Sequence, residues 1–127
     1  MRRFRFTLAV TIATPLLALL FFASGIFKLA RLDFEVAAFE RYGIPGWLMI
    51  EVGVTEVAAA LLLLRPRTAT LGAITGSALM LVAIPTHVAA GEPHLAPLPL
   101  AVLAALIAVG WGRRAELAAL IAPRRAA

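Results

Sequence analysis

Four long apolar stretches, parted by brief polar breaks, organise this chain. The first runs from about Phe6 to Leu29 and the second from about Trp47 to Leu64. The third runs from about Thr68 to Ala89 and the fourth from about Leu95 to Trp111. Each is long enough to cross a bilayer core, which takes about 20 helical residues. Lipid admits only structures that pair their backbone groups internally, that is, helices or closed barrels. Runs this long and this rich in Leu and Ala read as helices rather than as alternating barrel strands. Pro97 and Pro99 open the fourth run, where a first helical turn tolerates them. The pattern predicts an all-α polytopic membrane protein: one domain over residues 1–127, built as a four-transmembrane-helix bundle.

The breaks predict the connections. "RPR" at 65–67 is a tight turn and "GEPHLAP" at 91–97 a short polar loop. Residues 31–46 are longer and mixed. In "DFEVAAFERYG", Phe34, Ala37, Ala38 and Phe39 lie among Asp33, Glu35, Glu40 and Arg41. Asp33 suits an N-cap and Gly43 a stop. This segment is expected to form a short interfacial helix between the first two spans, with Phe34 and Phe39 toward lipid or bundle and Glu35 toward water. Glu92 and His94 are expected in solvated loop, and Trp47 and Trp111 in interfacial belts.

Composition agrees with lipid as the solvent. The chain is 62% hydrophobic with a mean hydropathy of +0.95, against about 45–50% apolar residues in soluble domains. It has no cysteine and two histidines, His87 and His94. That excludes a disulfide, a cysteine-ligated cluster and a self-contained metal centre of the common kinds within this sequence. Any redox cofactor would come from a partner or from the lipid phase.

The net charge of +5 changes meaning once the arginines are placed. Arg2, Arg3 and Arg5 precede the first span, Arg65 and Arg67 join the second to the third, and Arg113, Arg114, Arg124 and Arg125 follow the fourth. Four crossings put them all on one side. Arg31 and Arg41 fall on the other side, diluted by Asp33, Glu35, Glu40 and Glu92. The rule that positive loops stay inside makes both termini cytoplasmic. It also accounts for the basic balance without nucleic acid as a partner. A basic start, an apolar run and "ASG" at 23–25 resemble a signal peptide, but the run exceeds the usual ~7–15 residues, so the first span is expected to be retained.

Ionisable groups inside spans are costly and usually face a bundle interior. Lys28, Glu51, Glu56 and His87 are the candidates. At ~1.5 Å of rise per residue, Glu56 lies about 8 Å deeper than Glu51. Helical side chains lean toward the amino end. Lys28 and His87 on outward-running helices therefore lean into the membrane, while Glu56 on an inward-running helix leans outward. The three converge on one level if their helices are neighbours. Steps of about 100° put Lys28 on one face with Thr14, Leu17, Phe21, Ser24 and Gly25, whose small residues suit close packing. They put His87 on a face with Gly72, Gly76, Met80 and Ala83. Glu51 stands about 140° from Glu56 and belongs at the water boundary.

Three stretches, "LLALLFFASGIFKL" (16–29), "YGIPGWLMIEVGVTEVAAALLLL" (42–64) and "GSALMLVAIPTH" (76–87), together resemble the DoxX-like family of small four-helix membrane proteins. The resemblance spans about residues 8–110 and rests on a combination. Ser24-Gly25 is followed by Lys28, Gly43 and Pro45 sit in a loop, Gly53 precedes Glu56, and Thr86-His87 closes the third span. Glu51 lies outside the pattern. The resemblance implies a prokaryotic cytoplasmic (inner) membrane, a setting of quinone-linked redox chemistry, and an oxidoreductase partner subunit beside the bilayer. It leaves room for a homo-oligomer and does not make the chain an enzyme.

Three functions fit. In the first, Lys28 and His87 donate to a quinone carbonyl while Glu56 orients them or passes a proton. In the second, Lys28, Glu56, His87 and Ser24 hold a small lipophilic ligand for binding or transport. In the third, the buried charges of an assembly subunit only set helix register. No catalytic residue is assigned.

Overall fold

The structure, a computed structural model, describes residues 1–122. Arg124 and Arg125 of the expected basic cluster lie outside them. The described residues form six α-helices: α1 (Arg2–Leu29), α2 (Asp33–Tyr42), α3 (Gly46–Leu64), α4 (Ala69–Ala89), α5 (Pro97–Gly112) and α6 (Arg114–Ile121). A 3₁₀ turn over Pro93–Leu95 leads into α5. Four of the described helical segments are long and apolar enough to span a membrane. Most of their large apolar side chains point outward, among them Leu16, Leu19, Leu61, Val82 and Ile107. Such outer faces are stable against lipid tails and not against water.

Helix boundaries depart from the sequence reading where polar residues flank the spans. α1 begins at Arg2 and carries its three amino-terminal arginines within the helix. The fourth span starts at Pro97, with both prolines in its first turn and no backbone bond lost. α6 was not expected: "RAELAALI" continues as a helix after a break at Arg113. Asp33 does not cap α2. It is the first helical residue, Leu32 holds the cap position, and no side chain caps the turn. Gly43 ends α2 with φ 70, the left-handed conformation that glycine adopts without a Cβ penalty.

The bundle is close-packed near the chain termini. Val10, Leu17, Phe21, Leu63, Leu106 and Val109 form its buried core. α3 and α4 come together at Gly72, where a Cβ would lie 2.9 Å from the Ala59 carbonyl oxygen. A Cβ on Gly112 at the end of α5 would meet Val10 and Phe6 of α1, so the start of α1 and the end of α5 share one end of the bundle. Arg113 donates there to the Thr14 hydroxyl at 3.2 Å. At the opposite end α2 lies across the bundle, touching α1, α3 and α4.

Candidate functional site

α1 and α3 cross glycine on glycine. A Cβ on Gly25 would stand 2.7 Å from the Gly53 carbonyl oxygen, and one on Gly53 would stand 3.0 Å from that of Gly25. Only hydrogen fits at both positions, so the backbones approach as small-residue membrane interfaces do. Lys28 lies three residues beyond one glycine and Glu56 three beyond the other, on antiparallel helices. Their Cα atoms are therefore about one to two helical turns apart along the bundle axis. Each side chain leans toward its own amino end, so the two lean toward each other and meet at the crossing.

They meet as an ion pair. Lys28 Nζ lies 3.2 Å from Glu56 Oε1, and it donates to the Ser24 hydroxyl at 2.9 Å. A third partner comes from α2: Glu35 Oε1 accepts from Lys28 Nζ at 3.4 Å. The three ionisable residues are buried, with 7% of Lys28, 9% of Glu35 and 5% of Glu56 exposed. The Phe39 ring lies 5.9 Å from Nζ, within the range of a cation–π contact.

The cluster forms one side of a cavity of about 520 Å³. Phe21, Phe39, Leu48, Val52, Met80 and Val102 are among its apolar walls, and α1 to α5 all contribute. His87 stands on the α4 wall. It makes no hydrogen bond to Lys28 or Glu56. Its Nδ1 lies 3.4 Å from the Tyr42 hydroxyl, and the two rings meet edge to face at 5.5 Å. Burial, and then the nearby Glu92 carboxylate, hold the Tyr42 phenol above its ordinary range. Arg41 Nε donates to Glu92 Oε1 at 3.0 Å, tying the last turn of α2 to the loop after α4.

Three expected site residues, Ser24, Lys28 and Glu56, thus come together directly, and His87 faces the same cavity from across it. Glu51 is exposed and outside the cluster, as expected. Two acidic residues read as solvated are not. Glu35 is buried against Lys28, and Glu92 is half-buried in its pair with Arg41. The signal for Glu35 was in the sequence. It lies four residues before Phe39, so both project from one face of α2, and a buried Phe39 carries Glu35 inward with it. Phe34, on another face, is exposed and packs edge to face on Phe27 at 5.8 Å. Among the described residues no group of His, Asp and Glu is arranged to hold a metal ion.

The fold and this cluster define a class: a small helical membrane protein with an apolar cavity that ends on a buried ion cluster. The family model of the DoxX-like family matches residues 12–109, and the chain belongs to that family. Neither the curated proteins nor the solved structures offer a match.

Proposed function

We propose that the protein binds a small lipophilic molecule within the membrane, its body in the cavity under α2 and its polar head at Lys28, Glu35 and Glu56. One observation carries this reading: an apolar-walled space of about 520 Å³ ends on charged groups that are otherwise costly at that depth. Ser24, Tyr42, Thr86 and His87 add to the polar lining. A cluster that only set helix register would need no adjoining space. The test is occupancy. Protein purified in mild detergent and analysed by mass spectrometry should carry a small molecule. Ala83→Trp, which projects into the cavity from α4, should lose it while the protein stays folded. A bound molecule retained by the filled variant would sink the reading.

A second reading has its own support. The Tyr42–His87 pair sets an imidazole on the cavity wall, where it can meet a carbonyl or pass a proton. That suits a quinone and a subunit that works beside an oxidoreductase partner. A quinone as the co-purified molecule would favour it. Under both readings the arginine pattern supports cytoplasmic termini in a prokaryotic inner membrane, and a reporter fused after Glu92 should score external.

A further inference from the structure

The cavity's open bonding capacity is one-sided. An ammonium has three N–H donors, and Lys28 has three acceptors around it: Ser24 Oγ, Glu35 Oε1 and the Glu56 carboxyl. Nothing is left for a ligand. The neighbouring hydroxyls are also engaged. Ser24 accepts from Lys28 at 2.9 Å, Thr86 donates to the Val82 carbonyl at 2.7 Å, and Tyr42 pairs with His87. The Ser24 proton and one imidazole nitrogen of His87 remain. The acceptor side is different. Two carboxylates offer about eight lone-pair sites, and most of them are unused. Charge points the same way: two carboxylates face one ammonium, and Lys28 is the only lysine or arginine among the described residues that line the cavity.

We propose that the cavity selects a lipophilic amine, whose protonated head donates to Glu35 and Glu56 beside Lys28 while its hydrocarbon body lies against Phe21, Phe39 and Met80. The proposal rests on the ligand-binding reading above and names its ligand class. The head supplies the missing positive charge and the missing donors together. A carbonyl head would place lone pairs against carboxylate oxygens, and a carboxylate head would add a third negative charge. The Phe39 face, already near one ammonium, is a suitable flank for a second.

The experiment uses the full chain in nanodiscs of neutral phosphatidylcholine and four probes that share one ring system. These are naphthalenemethylamine, naphthalenemethanol, naphthoate and 1,4-naphthoquinone, each measured by equilibrium binding against empty nanodiscs. The amine should bind about tenfold or more tighter than the alcohol, the margin a charge-assisted hydrogen bond provides, with the other two weaker still. Glu35→Gln, which leaves the Lys28–Glu56 pair in place, should shrink the amine-to-alcohol ratio toward one. If no probe binds above empty discs, the ligand-binding reading itself fails. If probes bind without preference, or if alcohol equals amine, that reading stands and amine selection is overturned, the cluster then being neutralised by a proton of its own. A preference for the quinone overturns it in favour of the redox reading.

Discussion

The two ends of the bundle are built from the same four helices and solve opposite problems. Near the termini Val10, Leu17, Leu63, Leu106 and Val109 interlock around small residues such as Ala60 and Ala73, and the pocket beside Thr14, Leu63 and Arg113 is small, about 120 Å³. At the other end α1 and α3 still touch through Gly25 and Gly53, but the groups just beyond the glycines are charged, and a cavity lies beside them under α2. Packing density therefore does not follow from helix contact alone. The glycine crossing fixes two helices, and that fixed pair holds an ion cluster beside an unfilled space. One end supplies stability in proportion to apolar contact. The other spends part of it on a polar site, which is what a binding site requires.

The cluster should give the largest effect. Removing one member of a buried pair costs about 3–5 kcal/mol, whereas removing both partners can be nearly neutral. Here the trio is asymmetric. Lys28→Met strands two carboxyls, while Glu56→Gln leaves Lys28 with Glu35 and Ser24. Lys28→Met should thus lower stability in detergent more than Glu56→Gln does. The double variant should lose less than the sum, with a coupling of roughly 1 kcal/mol or more. Strictly additive losses, or a Lys28→Met protein as stable as the parent, would mean that Lys28 acts as an end anchor and that the cavity end has no organised site.

The packed end should respond next, and differently. Leu106 is fully buried, and a Leu→Ala change in a close-packed core costs about 2–5 kcal/mol. Leu48 lines the cavity and already faces empty space on one side. Leu48→Ala removes fewer contacts and should cost about 1 kcal/mol. Paired unfolding curves in the same detergent would read the difference. Equal losses would erase the contrast between the two ends, because a wall that costs as much to truncate as the core is itself packed.

That contrast was only partly legible in the sequence. The four spans were, because about 20 apolar residues in a row admit few alternatives. The meeting of Lys28 with Glu56 was also legible, since helical lean and a small-residue face are local properties. The cavity was not, because empty space is set by how four helices pack and leaves no periodicity. Glu35 was misplaced for a related reason. An acid in a mixed segment reads as solvated by composition, and only its spacing from Phe39 says otherwise. Glu92 left no such signal. Its pairing with Arg41 joins residues 51 positions apart in the sequence, and only the tertiary fold brings them together.

The smallest expected effect concerns the lid that separates the two ends in kind. α2 is held over the cavity by Phe39 inside it, by Glu35 on Lys28, by Tyr42 on His87 and by Arg41 on Glu92. The last of these is the most open to water, with 53% of the Arg41 side chain exposed. Exposed pairs contribute about 0–1 kcal/mol, so Glu92→Gln should barely move global unfolding. Its effect should instead be local. Loosening one end of a ten-residue helix lowers the cost of opening that helix alone, and local opening is what amide hydrogen exchange detects. Exchange should quicken over residues 34–42 and stay unchanged around Gly25, Gly53 and Leu106. Added salt should produce the same pattern in the parent protein, since it screens the exposed pair far more than the buried trio. If α2 exchanges at the parent rate in both cases, the burial of Phe39 and the contact of Glu35 with Lys28 hold the lid by themselves. The cavity end would then be closed from within, by the same groups that form its site.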